Sequence, residues 1–204
     1  MIHQKAQRHL ARRDPIMKQL IQAVGPCTLR VNGDHFACLA RSIVAQQISA
    51  RAAASILAKL EKVLEPDGLT PAAILRAADA ALRGAGLSAA KLRYVRDLAE
   101  KVDAGAVSLA TLADLPDEQV IDTLLPIKGI GRWTAQMFLI FSLGRLDVLP
   151  VDDFGLRAGV LQQYRLAEMP TKDHLRQLAE PWRPYRSIAT WYLWRSLGNV
   201  PQSD

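Results

Sequence analysis

Leu124-Leu125-Pro126-Ile127-Lys128-Gly129-Ile130-Gly131-Arg132-Trp133-Thr134-Ala135 is the stretch on which the reading of this chain turns. Helical patterns flank it on both sides, from Pro116 to Leu125 and from Arg132 to Leu143. Between them two glycines enclose an isoleucine. Glycine tolerates positive φ, so the chain can turn sharply here and bring its amides close to a ligand. The helix that opens near Arg132 starts with unsatisfied N–H groups and the positive end of its dipole, which together favour an anion. Ile127 and Ile130 are expected to anchor the turn in the core. Lys128 and Arg132 add positive charge at its rim.

A Gly-x-Gly alone is an ordinary helix–helix turn. The flanks sharpen it, because Leu-hydrophobic-x-Gly-hydrophobic-Gly followed by a helix opening on Thr-Ala is the helix–hairpin–helix pattern. Such a turn grips phosphates, which carry no sequence information directly. About 20 residues further on comes Val151-Asp152-Asp153-Phe154-Gly155, with two carboxylates at the start of the next apolar helix. One aspartate capping that helix would contribute about 1 kcal/mol. Capping and chemistry can coexist, one aspartate capping while its neighbour faces a ligand. Gly155 and Gly159 share a face of this helix and allow another backbone close approach.

Bulk properties bound the answer. The chain has 204 residues, 50% of them hydrophobic, which is enough for a folded core. A net charge of +6 favours an anionic partner. Cys27 and Cys38 are the only cysteines and form no CxxC, so a reducing compartment fits. The histidines His3, His9, His35 and His174 are scattered, which leaves zinc or an iron–sulfur cluster without a visible ligand set. The basic N-terminus lacks an apolar core segment and is not a secretory signal. No run of 18 apolar residues appears, so no membrane span is expected. A cytoplasmic, nucleoid-associated protein is expected, and a monomer.

The pattern is helical nearly throughout. Asp14-Pro15 caps a helix that Gly25-Pro26 stops. Thr28 to Phe36 is the one stretch with an extended pattern, with Asn32-Gly33 as a turn. Helices are expected from Phe36 to about Ile48, Ser49 to Leu64, Thr70 to Ala78, Asp79 to Ala85 and Ser88 to Val102. Lys91, Arg93, Arg96 and Lys101 line one side of the last, more as a solvated face than as a DNA contact. Asp153 to Tyr164, Thr171 to Glu180 and Pro184 to Leu197 complete an all-α chain.

Gly-Ile-Gly-Arg-Trp-Thr-Ala, then Asp-Asp-Phe-Gly-Leu-Arg, then Trp182-Arg183-Pro184-Tyr185-Arg186-Ser187 resembles the helix–hairpin–helix DNA glycosylase superfamily. Within it the wording is similar to the alkylbase branch, the 3-methyladenine DNA glycosylase II family. The match runs roughly from Phe36 to Gly198. It implies one glycosylase domain over residues 1–204, with the hairpin motif at 116–141 and two helical lobes around an active-site cleft. The N-terminal sheet domain of some members has no counterpart, so this is a compact form. The resemblance places Asp153 at the catalytic position, with Asp152 the lesser candidate. It implies a substrate pocket of Trp133, Met137 and Trp194, where Met137 stands in place of a frequent tyrosine. Lys128, Gly129, Ile130, Gly131, Arg132 and Thr134 would bind the DNA backbone. Gln47, with Gln46 beside it, would be the wedge that fills the stack left by a flipped base. No cofactor is required, but a structural Na+ or K+ is implied at the hairpin, on the backbone carbonyls of Leu125, Ile127 and Ile130.

Bifunctional members carry a Schiff-base lysine where this chain has Trp133, so strand-cutting chemistry lacks its nucleophile. The expectation is a monofunctional enzyme that removes alkylated purines from double-stranded DNA in base excision repair. A glycosylase for mismatched or oxidised bases and a non-catalytic DNA-binding module are the alternatives.

Overall fold

The structure is a computed structural model that describes residues 2–198. Among the described residues there are twelve α-helices, two short 3-10 segments and no strand. The expected all-α class is the observed one. The chain forms two compact units. One is built from both ends of the chain, residues 1–31 and 139–204, and the other from residues 32–138.

The two-ended unit holds α1 (Ile2–Arg13), α2 (Pro15–Val24), α10 (Phe154–Gln163), α11 (Lys172–Leu178) and α12 (Arg186–Ser196). Every residue of α12 from Ser187 to Trp194 is buried. A helix that is apolar on all sides belongs at the centre of a core, and α12 packs against α1, α2 and α10. Gly159 sets the closeness of the α10 contact, because a Cβ there would lie 3.0 Å from the Leu193 carbonyl oxygen.

The second unit holds α3 (His35–Ala45), α4 (Ala50–Val63), α5 (Pro71–Arg76), α6 (Asp79–Gly84), α7 (Ala89–Asp103) and α8 (Asp117–Leu124). The unit boundary falls inside α9 (Arg132–Phe141). Leu39, Ile43, Leu60, Ile74, Leu82 and Leu98 are fully buried in this unit's core. Side-chain caps fix the helix starts: Asp34 on α3, Ser49 on α4, Thr70 on α5 and Ser88 on α7 each accept an amide of the first turn.

Three expectations are corrected. Residues 28–34 are irregular rather than extended, and Phe36 lies in α3. There Asn32 accepts the Asp34 amide at 2.9 Å, a local turn that competes with strand pairing. The helix from Phe36 stops at Ala45 rather than Ile48, because Gln47 takes φ +58°. The basic N-terminus, unassigned above, is helix α1, held by buried Ala6 and Leu10.

Candidate active site and nucleic-acid interface

Asp153 does two jobs with one oxygen. Its Oδ1 accepts the Leu156 amide at 2.5 Å, which caps α10, and the Trp194 indole N–H at 2.7 Å. The residue is only 7% exposed. The cap and the buried carboxylate, expected on two neighbouring aspartates, therefore fall on one residue. Asp153 is the cap as well as the buried carboxylate, while Asp152 is exposed and pairs with Lys172. Gly155 makes this geometry possible. A Cβ there would sit 3.1 Å from the Trp194 ring and 3.2 Å from Asp153 Oδ1. Phe141 stacks on the Trp194 ring, with centroids 5.9 Å apart and planes 18° apart, and fixes its plane.

Of the three expected pocket residues, only Trp133 offers surface, at 36% exposure. Met137 and Trp194 are buried, Met137 in mid-α9 and Trp194 against Asp153. Trp194 thus holds the carboxylate and offers no open face. Asp153 and Trp194 lie in the two-ended unit, whereas Trp133, Met137, the hairpin and Gln47 belong to the other. Sequence reasoning missed Phe154, which directly follows the carboxylate and is 74% exposed. Its one signal was an aromatic at the first turn of a helix, where the apolar stripe should face inward.

The hairpin turn is braced from three sides. Gly129 has φ +82°, and a Cβ on it would lie 2.3 Å from the Tyr94 ring. Asp97 accepts the Lys128 amide at 2.9 Å and pairs with the Lys128 ammonium at 3.3 Å. Gln46 donates to the Gly129 carbonyl at 2.7 Å. Ile127 and Ile130 are buried, as the anchoring role required. Burial alone would raise the Asp97 pKa, but hydrogen bonds from Lys101 and from Lys128 outweigh it and hold the carboxyl below its ordinary range. Tyr94, Asp97 and Lys101 share one face of α7 at spacings of three and four.

These contacts sort the expected backbone-binding residues. The Ile130 amide donates to the Ile127 carbonyl, the Lys128 amide to Asp97, and Thr134 is buried. The two amides are used in closing and bracing the turn, and the Thr134 side chain is covered. The amides of Gly129 and Gly131 make no hydrogen bond to another described residue. The two glycines differ, since Gly131 has no positive φ and open space where a Cβ would be. At the rim, Arg132 makes a two-pronged pair with Glu118 at 2.6 and 2.7 Å.

Gln47 stands exposed at the tip between α3 and α4 in a left-handed conformation, with Ile48 37% exposed beside it. Such a conformation is costly for a residue with a side chain and recurs at functional tips. Gln46, expected next to the wedge, turns its carboxamide to the hairpin instead. The basic face of α7 is more than a solvated surface. Lys91 donates to the Val44 carbonyl at 2.6 Å, and Arg96 bonds the Ile74 and Ala77 carbonyls and Asp79. Cys27 and Cys38 are buried and form no disulfide. No helix among the described residues is long and apolar enough to cross a membrane.

The profile of the HhH-GPD superfamily of base excision DNA repair proteins matches residues 40–184, which hold both the hairpin and Asp153. This chain belongs to that superfamily. Two curated relatives match it over nearly the whole length. The alkylbase DNA glycosidase-like protein mag2 of Schizosaccharomyces pombe is 32% identical over 198 residues, covering 95% of this chain and 93% of its own. DNA-3-methyladenine glycosylase 1 of the same yeast is 34% identical, covering 94% of this chain and 86% of its own. Among solved HhH-GPD structures, the S. pombe 3-methyladenine DNA glycosylase Mag1 in complex with abasic DNA superposes with a TM-score of 0.84. It shares 33% identity, and the match covers 98% of this chain and 100% of that one.

Proposed function

We propose that this protein is a monofunctional DNA glycosylase that excises alkylated purines from double-stranded DNA. The observation that carries the proposal is the Asp153 carboxylate, buried at the start of α10 and clamped by the Leu156 amide and the Trp194 indole. The two donors that meet on Oδ1 fix the direction in which the group faces. The relatives named as 3-methyladenine and alkylbase glycosylases narrow the substrate class.

Alkylation of a purine ring nitrogen makes the base cationic and weakens its glycosidic bond. As the base leaves, positive charge develops on the sugar. A fixed carboxylate stabilises that oxocarbenium-like state with no reorganisation at the moment of reaction, and it can orient or deprotonate the attacking water. The base must first leave the stack, because the reacting bond is out of reach inside a duplex. The hairpin amides of Gly129 and Gly131 hold a phosphate during this step, and Gln47 fills the vacated space. Trp133 gives the cationic base an electron-rich face. Trp133 also stands where an amine would be needed for strand cleavage, so the product is an intact abasic strand.

The carbonyls of Leu125, Ile127 and Ile130 would hold the monovalent cation that the family resemblance implies. Neutral oxygens suit a hard ion of single charge, although the Ile127 carbonyl already accepts the Ile130 amide at 3.0 Å. Such an ion would supply positive charge towards a phosphate.

Base release from methylated duplex DNA tests the proposal. Wild type releases methylpurine, with breaks only after alkali. Asp153→Asn binds the same duplex and releases base at least 100-fold more slowly, the scale of losing a preorganised charge. Equal release by both proteins removes Asp153 from the chemistry. Strand breaks before alkali overturn the monofunctional reading.

A further inference from the structure

The first 24 residues carry five cations, Lys5, Arg8, Arg12, Arg13 and Lys18, against one acid, Asp14. That acid is turned inward. Asp14 is buried and accepts the amides of Ile16 and Met17, the Trp182 indole and the Tyr164 hydroxyl. Four of the cations, with Ala11, line an open hollow of about 460 Å³ between α1 and α2: Lys5, Arg8, Arg12 and Lys18. All four are exposed, and among the described residues none pairs with a carboxylate. Lys5, Arg8 and Arg12 follow at spacings of three and four, so they stand on one face of α1 and repel one another. No carboxylate of a described residue compensates this face.

The hairpin rim presents the opposite case. Lys128 and Lys101 pair with Asp97, and Arg132 pairs with Glu118. The charged side chains expected to grip phosphate at the turn are therefore largely neutralised by their own neighbours.

We propose that the α1–α2 hollow is a second, lesion-independent contact for the phosphodiester backbone of DNA. The hairpin contributes amides, and this hollow contributes the uncompensated charge. Two guanidinium forks suit phosphate oxygens, and two ammonium groups add point charge beside them. The partner rests on the glycosylase reading above, but the contact itself does not depend on catalysis.

The test is the salt dependence of binding to a labelled, lesion-free duplex. Each phosphate contact contributes about 0.9 to the slope of log affinity against log salt. Lys5→Gln/Arg8→Gln/Arg12→Gln should lower that slope by about 2 to 3 and weaken binding at least tenfold at low salt. Glutamine is a good helix former, so α1 should persist, which circular dichroism checks. A matched variant of equal charge, Lys59→Gln/Lys62→Gln/Arg83→Gln, separates a local contact from net charge. Equal slopes for the two triple variants, or a slope unchanged from wild type, overturn the proposal. So does calorimetric binding of inorganic phosphate by wild type that the α1 variant loses while its DNA slope stays the same, since the hollow would then serve a free anion. Failure of the glycosylase reading shows separately, as a wild type that binds DNA with the expected slope and releases no base.

Discussion

At the scale of single residues, the site depends on how Asp153 is held. Trp194→Phe keeps an aromatic ring against Phe141 and removes only the N–H that Asp153 accepts at 2.7 Å. Hydrogen bonds to charged groups are worth about 1.5–3 kcal/mol, so base release should fall about 10- to 100-fold. Because the ring acts through the carboxylate, cationic and neutral bases should suffer alike in a release assay. A loss confined to cationic bases would make Trp194 a stacking wall instead. Phe154 is the complementary case. At 74% exposure it contributes little to folding, so Phe154→Ala should change the free energy of unfolding by no more than about 0.5 kcal/mol. If Phe154 packs on the substrate, KM for methylated duplex rises severalfold, and an unchanged KM shows it does not. Asp153 was legible in the sequence through its distance from the hairpin. Which aspartate caps the helix stayed open there, because two adjacent carboxylates look alike until the backbone chooses between them. That Phe154 faces outward is fixed by tertiary packing, which no local pattern records.

At the scale of elements, the hairpin is a turn held by two others, α7 through Tyr94 and Asp97 and the α3 end through Gln46, and by its own buried isoleucines. The turn and its flanking helices were plain in the sequence, since glycine spacing and helical periodicity are local signals. The brace was not. Lysines and arginines on one face of α7 have the pattern of a solvated surface, and only their partners, up to 47 residues away, show otherwise. The structure also separates two glycines that the sequence treats as equal. Gly129→Ala must hold a left-handed conformation, at about 1–2 kcal/mol, and must displace Tyr94. Affinity for any duplex should fall about tenfold or more, whatever the lesion. Gly131→Ala meets no atom within 4 Å and should keep most of the affinity. Anisotropy titrations of both variants decide the matter, and equal losses would mean that ligand approach, not backbone conformation, is what the glycines provide.

At the scale of the whole molecule, the chain leaves one unit, builds the other, and returns. Periodicity made nearly every helix visible, but the closure of both chain ends into one unit rests on contacts more than 150 residues apart, which a single sequence does not show. Asp14 is the joint. It caps α2 and, from the same carboxylate, accepts the Trp182 indole at 2.9 Å and the Tyr164 hydroxyl. Burial, reinforced by this carboxylate, pushes the Tyr164 pKa well above its ordinary value, so the hydroxyl stays a donor across the working pH range. Asp14→Ala would remove a cap worth about 1 kcal/mol and leave two donors without an acceptor, at about 1–3 kcal/mol each. The expected loss is about 3 kcal/mol or more in urea unfolding, a large share of the stability of a domain this size. Asp14→Asn retains an acceptor oxygen and should lose less. The order matters more than the size. A joint ranks wild type, Asn, Ala in falling stability, whereas Asn and Ala variants of equal stability would reduce Asp14 to its charge alone.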